Sequence, residues 1–297
     1  MSRIRYDRLP TERVNPESGR LDRLSGAQIA RLMNRADRRA VGAVGRAAPA
    51  LGRAVDLIVR SLSRRGRLIF VGAGTSGRLG VIEAAECPPT FDTPPSLVQA
   101  VIAGGRRTVF RSAEGAEDDG PDGARQIRRR VRPGDIVVGI AASGVTPFVR
   151  GALKEARRRD AATVLVTCNA QVPASAARVV IALAVGPEVL TGSTRLKAGT
   201  ATKLALNTLT TASFARLGKV YGNRMVDLRP RSAKLRARAL RLVVQVGRVS
   251  PREAERLLKA SGGSAKVAIA MARLRVDAKE ARRRLKAANG VLRLALR

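Results

Sequence analysis

The spacing of hydrophobic positions changes twice along this chain. Between residues 25 and 64, Ile29, Leu32, Met33, Val41, Val44, Leu51, Val55, Ile58 and Val59 recur at helical spacing, and Pro49 marks a break between two helices. From Arg67 the pattern becomes a series of short unbroken apolar runs. These are RLIFVGAG, LVQAVIAGG (Leu97–Gly105), PGDIVVGIAASG ending at Gly144, TVLVTC (Thr163–Cys168) and VVIALAV (Val179–Val185). Between them lie stretches of helical character: one through Leu79, Ile82 and Glu86, a charged one with Gln126 and Ile127, and one from Thr146 to Arg159. Continuous apolar strands alternating with helices predict an α/β fold, a parallel five-stranded sheet sandwiched by helices. A long helix from Lys197 to Leu217 follows a Gly/Ser/Thr loop.

From about Arg229 the character changes again, to short amphipathic segments. Ser250-Pro251-Arg252-Glu253 has the form of a capping box with proline at the first helical position, Asp277-Ala278-Lys279-Glu280 resembles a second, and Asn289-Gly290 is a helix stop. The expected organisation is an N-terminal extended segment with helices over 1–56, the sheet domain over 57–222, and a small C-terminal helical module over 229–297.

Composition narrows the chemistry. The 297 residues contain no histidine, which removes Ser-His-Asp and Cys-His triads and every His-ligated metal site. Cys87 and Cys168 are too few for a disulfide framework or a Cys-rich zinc site and read as small buried residues. Proton transfer then falls to Glu, Asp, Lys, Tyr or Cys. The opening MSRIRYDRLPTERVNP has no apolar run of signal-peptide type, and Val179–Val185 is far too short for a membrane span, so a cytoplasmic protein is expected.

A formal net charge of +34 raises the question of nucleic acid. The charge is dispersed, although residues 229–297 carry 20 Lys/Arg against 4 Asp/Glu, and aromatic residues for stacking on bases make up only 2 %. We therefore read the basic faces as solvated, with attraction of anionic substrates as their functional part, and expect no specific nucleic-acid partner.

Three glycine- and hydroxyl-bearing segments suit a phosphate. Gly72-Ala73-Gly74-Thr75-Ser76-Gly77 joins the first strand to a helix, Ser143-Gly144-Val145-Thr146 follows the third, and Thr191-Gly192-Ser193-Thr194 precedes the long helix. The first has the spacing G-x-G-x-x-G, but the second strand ends in Ala103-Gly104-Gly105 rather than in the acidic residue that a dinucleotide ribose requires. Free N–H groups and the helix dipole at a helix start, together with Ser and Thr hydroxyls, instead fit a phosphate monoester.

With 23 acidic residues against 57 basic ones, acids clustered near these loops stand out. Glu83 and Glu86 lie three apart, hence on one helix face, and Glu114-Gly115-Ala116-Glu117-Asp118-Asp119 follows the second strand. Glu83 reads as a solvated charge. For Glu86 and Glu117 a surface charge and a catalytic acid or base are equally open readings.

Six segments together carry a family resemblance: GAGTSGRLG, AAECPPTF, EGAED, GIAASGVTP, TGSTRLKAGTATK and YGNRMVD. The chain resembles N-acetylmuramic acid 6-phosphate etherases of the sugar-isomerase (SIS) domain superfamily, from Thr11-Glu12 into the C-terminal module. The resemblance implies the SIS fold, usually as a homodimer, with a ubiquitin-associated-like helical domain behind it. It implies Glu86 as proton donor and Glu117 as the other catalytic residue. Gly74, Thr75, Ser76, Ser143, Gly144 and Thr146 are implied at the sugar phosphate, and Ser193, Thr194 and Lys197 near the substrate. The implied reaction is loss of D-lactate from a phosphorylated amino sugar, without metal or other cofactor and without a membrane.

Three departures bear on substrate preference: Val145 where related sequences often carry Arg, Ala170 after Asn169 where they often have Pro, and a less acidic Asn34-Arg35-Ala36-Asp37. A sugar-phosphate isomerase and a non-catalytic sugar-phosphate-sensing regulator on the same fold are the competing readings. A DNA-binding, sugar-responsive regulator is disfavoured because no clear helix-turn-helix precedes the SIS region.

Overall fold

The structure, a computed structural model, describes residues 9–227 and 233–297. The chain folds into two compact units, Met1–Ala85 with Ser96–Thr210 and Glu86–Pro95 with Thr211–Arg297. The chain passes from one unit to the other three times, after Ala85, after Pro95 and after Thr210.

The first unit is built on the parallel sheet. Strands β1 (Leu68–Gly72), β2 (Val98–Ile102), β3 (Ile136–Ile140), β4 (Ala162–Thr167) and β5 (Val179–Ala182) stand in the order β2-β1-β3-β4-β5, every pair parallel. The unbroken apolar runs are explained by burial: β1 and β3 are covered at every position because helices lie over the sheet. Helices α1 (Gly26–Arg46) and α2 (Ala48–Ser63) precede the sheet, and α3 (Gly74–Phe91), α4 (Gly120–Arg130), α5 (Pro147–Arg158) and α6 (Lys197–Arg216) are interleaved with or follow its strands. Pro49 sits in the first turn of α2, where its missing N–H costs nothing, and so starts a helix rather than interrupting one. On one face of the sheet Ile69, Val71, Val137 and Leu165 pack with Ile127 of α4 and Phe148, Val149, Ala152 and Leu153 of α5.

At the amino edge of the sheet Asp135, only 2 % exposed, binds the starts of β1 and β3 together. Its carboxylate accepts from the Arg67 backbone N–H at 2.9 Å, from the Arg67 guanidinium at 2.6 Å and from the Arg132 N–H at 2.9 Å. That arrangement leaves the carboxyl edge for loops with other work.

In the second unit α7 (Ala233–Gly247), α8 (Pro251–Ala260), α9 (Ala265–Leu274), α10 (Ala278–Ala287) and α11 (Leu292–Ala295) surround a core of Leu242, Val243, Leu257, Ile269 and Leu285. Ser250 and Asp277 cap α8 and α10 by accepting from the N–H groups of Glu253 (3.2 Å) and Glu280 (2.8 Å). Asn289 and Gly290, both at positive φ, turn the chain after α10 as the helix-stop reading expects. A short hairpin of β6 (Val220–Tyr221) and β7 (Arg224–Met225) also belongs to this unit. Its fixed point is Lys266, whose ammonium donates to Asp227 (2.7 Å) and to the carbonyls of Gly218 and Gly290 (both 2.9 Å).

Candidate active site

All five strands run the same way, so the loops after β1, β2 and β3 emerge side by side at one edge of the sheet. The register aligns Gly72 with Ile102 on one side and with Ile140 on the other. Because β1 has β2 on one flank and β3 on the other, the order in which strands are added reverses at this point while all strands stay parallel, and this is the crevice where open α/β sheets take ligands.

The loop after β1 turns directly into α3. A β-carbon on Gly77 would stand 2.5 Å from Ile102 Cγ1 and 2.8 Å from the Gly72 carbonyl oxygen, so only glycine lets the helix start this close to the sheet. Gly74 takes φ +51, and Thr75 and Ser76 stand half-buried in the first turn. The first N–H groups of such a helix have no partner within it and point outward.

After β2, the single hydroxyl hydrogen of Thr108 is shared between the carbonyls of Ala103 (2.8 Å) and Gly105 (2.7 Å), which ties the turn at Gly104-Gly105. The acidic segment then forms a single 3-10 turn over Ala116–Asp118, with Glu117 exposed, and Asp119 caps α4 by accepting from Asp122 N–H at 2.7 Å. This turn lies against α5, because α4 and α5 approach to backbone contact. Gly123 and Gly151 face the carbonyl oxygens of Phe148 and Gly120, with no room for a β-carbon on either.

The loop after β3 is held from below. Asn169, 4 % exposed, donates its amide to the Ser143 carbonyl at 3.0 Å, and Thr167 donates to the Ala142 carbonyl at 3.2 Å while accepting from the Asn169 N–H at 3.1 Å. Ser143 Oγ accepts from Val145 N–H at 3.3 Å, Gly144 takes φ +75, and Thr146 is the N-cap of α5 without a side-chain capping bond to it.

The segment before α6 joins this group. A β-carbon on Gly199, in the first turn of α6, would lie 3.6 Å from the Thr194 carbonyl and 3.8 Å from Thr75 Cγ2. Thr75 and Thr194 therefore flank the same small gap. Ser193 and Thr194 are half-buried, and the Thr191–Thr194 turn is closed by Ser193 N–H donating to Leu190 O and Thr194 N–H to Gly192 O, both at 3.0 Å. Glu12, from the N-terminal segment, reaches this turn; a β-carbon on Gly192 would be 3.0 Å from its Oε2.

The third loop departs from the expectation of an anion cradle at every helix start. The N-terminus of α6 is already occupied by a carboxylate of the protein. Glu188, 1 % exposed, accepts from Lys197 N–H (3.3 Å) and Ala198 N–H (2.8 Å). Burial holds its carboxyl above the usual range. Lys197 is equally buried; its ammonium donates to the Pro187 carbonyl, which also accepts from the Asn15 amide at 3.4 Å, and burial pulls its pKa down. Beside them the Cys168 thiol lies 3.9 Å from the Ala198 carbonyl and is pushed up to about 12, by burial first and by the Glu188 charge second. Phosphate-type chemistry is thereby left to the starts of α3 and α5, with Ser193 and Thr194 available as hydroxyl donors and acceptors.

The two glutamates of α3 divide. Glu83, expected to be solvated, is 6 % exposed and accepts from the Asn207 amide at 2.6 Å and from the Thr210 hydroxyl of α6. Glu86, three residues on, is exposed, so the two do not share an environment. Sequence reading missed Glu188, Asn169 and Thr167, and no local motif could have revealed their partners. Glu12 had one signal, its place at the start of the resemblance.

Comparison with known proteins decides the family. The chain is 53 % identical over 267 residues to the N-acetylmuramic acid 6-phosphate etherase of Symbiobacterium thermophilum, covering 90 % of this chain and 89 % of that one. The chain belongs to the N-acetylmuramic acid 6-phosphate etherase family. The etherase of Picosynechococcus sp. is 49 % identical over 292 residues, 97 % of each chain, so the kinship extends through the C-terminal helices. The profile of the glucokinase regulatory protein N-terminal SIS domain matches residues 50–157, and that of the SIS domain matches residues 120–212. Among solved structures, a phosphoheptose isomerase from Francisella tularensis superposes with a TM-score of 0.50 at 15 % identity, over 64 % of this chain and 97 % of that one. It attests the SIS fold alone. The protein is an enzyme of the etherase class, and no helix among the described residues is long and apolar enough to cross a membrane.

Proposed function

We propose that this enzyme removes the D-lactyl group of N-acetylmuramic acid 6-phosphate, giving N-acetylglucosamine 6-phosphate and D-lactate, in the cytoplasmic recycling of cell-wall amino sugars, and that it works as a homodimer. The observation that supports this reading best is the meeting of hydroxyl-bearing turns at the switch point of the sheet, with Thr75 and Thr194 across one gap.

In this reading the phosphate is held by the N–H groups and hydroxyls at the start of α3 (Gly74, Thr75, Ser76) and of α5 (Ser143, Gly144, Thr146). Ser193 and Thr194 address the sugar. With the ring open, the C2 proton is acidified by the neighbouring aldehyde. A base removes it, the C3–O bond breaks, and the departing lactate oxygen takes a proton. Water then adds to C3 of the unsaturated aldehyde and returns a proton to C2, so that one water is consumed overall. Glu86 donates the proton to the leaving oxygen and Glu117 serves C2 or the water. A positioned carboxyl contributes about 10²- to 10⁴-fold to such a transfer.

The test is enzymatic release of lactate from N-acetylmuramic acid 6-phosphate by the wild type, Glu86→Gln and Glu117→Gln. Loss of release in Glu86→Gln with retained binding of N-acetylglucosamine 6-phosphate is the expected result. Normal turnover in Glu86→Gln removes the acid role, and tight binding without turnover in the wild type replaces the enzyme by a sugar-phosphate sensor.

A further inference from the structure

The loop that carries Ser193 and Thr194 is closed on itself by two buried side chains, one at each end. Glu188 stands at its start and captures the backbone at its finish, through the N–H groups of Lys197 and Ala198. Lys197 stands at its finish and captures the backbone at its start, through the Pro187 carbonyl. Each residue supplies what the other end of the loop lacks, as a capping box does over three residues, but here nine residues apart. We propose that Glu188 and Lys197 form a reciprocal clamp that sets where Ser193 and Thr194 stand, so that both are positioning residues for the sugar phosphate.

Four observations carry this assignment. Both side chains are 1 % exposed, which leaves neither the carboxylate nor the ammonium at the surface to meet a ligand. The closure is backed from outside: Asn15 donates to the same Pro187 carbonyl, and Val189 packs with Leu32 and Ala36 of α1. Within the closed span the turn is further fixed by the Ser193 N–H to Leu190 O and Leu196 N–H to Ser193 O bonds. Finally, the far end of the loop lies beside the phosphate-type turn, since a β-carbon on Gly199 would be within 4 Å of both the Thr194 carbonyl and Thr75 Cγ2. A displacement of the 189–196 loop is therefore passed to the gap between the two threonines.

The energetics favour a positioning role over a purely stabilising one. Burying two opposite charges seldom adds more stability than apolar side chains of equal volume would, because both ions are first stripped of water. What these two buried charges do contribute is a single geometry: each is held by backbone groups at the opposite end of the loop, and another arrangement would leave a buried ion without its backbone partner. Apolar residues at 188 and 197 would fill the space and leave the loop free to take several conformations.

The inference rests on the etherase reading for its substrate, and the experiment separates the two. Amide hydrogen exchange is measured over 189–196 and over β1 and β3 in the wild type, Glu188→Gln and Lys197→Met. Glu188→Gln keeps the acceptor for Ala198 N–H and loses the one for Lys197 N–H, so it perturbs the clamp without emptying the site. Steady-state lactate release is measured on the same proteins. We expect exchange in 189–196 to quicken about tenfold or more, with β1 and β3 unchanged, as local order worth about one hydrogen bond is lost. KM for N-acetylmuramic acid 6-phosphate should rise about tenfold in Lys197→Met and less in Glu188→Gln, with kcat within about threefold of wild type. Unchanged exchange and KM in both variants overturn the clamp, and so does a fall in kcat at constant KM. A wild type that releases no lactate overturns the etherase reading instead, and the exchange measurement still decides the clamp. If Lys197→Met does not fold, Glu188→Gln carries both measurements.

Discussion

Replacing Glu83 by alanine removes the acceptor of two donors on α6, and the two lose different amounts. The Asn207 amide, at 2.6 Å, is half-buried and can turn to water. The Thr210 hydroxyl is fully buried but has two other carbonyls within reach, Leu206 and Asn207, each at 3.3 Å. A hydrogen bond to a carboxylate is worth about 1.5–3 kcal/mol net, and the fallback partners return part of it. With the lost methylene burial, at about 0.8 kcal/mol per CH₂, Glu83→Ala should cost about 3 kcal/mol. Glu83→Gln keeps one acceptor but turns an amide donor toward the other partner, and should cost about 1.5 kcal/mol. Thr210→Val should cost about 1 kcal/mol, and the double variant should show a coupling of about 1 kcal/mol with Glu83→Gln. Urea unfolding followed by far-UV circular dichroism measures all four. If the single changes simply add, or if Glu83→Ala falls within about 0.5 kcal/mol of wild type, then Glu83 does not tie α3 to α6.

Lys266→Met leaves Asp227 with Lys219 at 2.9 Å but strips the Gly218 and Gly290 carbonyls of their donor, and should lower stability by about 2–4 kcal/mol, read as earlier proteolysis of the C-terminal helices. Ser213 Oγ is buried without a hydrogen-bond partner among the described residues, so Ser213→Ala should be neutral or stabilise by up to about 1 kcal/mol; a comparable loss would reveal a missed partner. Cys168, pushed up to about 12 by burial, remains a thiol at neutral pH, and the native protein should resist iodoacetamide at this position until it unfolds. Because its folded pKa lies above the ordinary thiol value of 9.0, Cys168 contributes stability that is complete below about pH 9 and disappears as the pH rises toward 12. The Cys168→Ala protein should therefore show a weaker alkaline loss over that window in pH-dependent unfolding.

Elements with local causes were legible in the chain. The five apolar runs became the five strands, trimmed at their ends: the last stops at Ala182 rather than Val185, and the third at Ile140, before Ala141-Ala142. Ser250, Asp277 and Asn289-Gly290 perform the capping and stopping that their spacing announces, because those interactions span three or four residues. What was not legible depends on distance along the chain. Glu83 read as solvated since the partners that bury it, Asn207 and Thr210, come 124 and 127 residues later. Asn169 supports Ser143 from 26 residues away, on a neighbouring strand's loop. Even the nine-residue step from Glu188 to Lys197 escaped notice, because it matches neither helical nor strand periodicity.

The glycines between α4 and α5 give this scaffold a ruler with no tolerance on the short side. Gly120, Gly123 and Gly151 let two helix backbones touch, and the turn bearing Glu117 hangs from the near end of that contact. A methyl group at position 123 would push the Phe148 carbonyl away and carry the Glu117 turn with it, although neither residue has a proposed part in holding the substrate. The position of the Glu117 turn is thus set by side chains that are absent: a β-carbon on Gly123 or Gly151 would stand 2.1 Å from a backbone carbonyl oxygen of the facing helix, while every proposed substrate-contacting residue stayed unchanged.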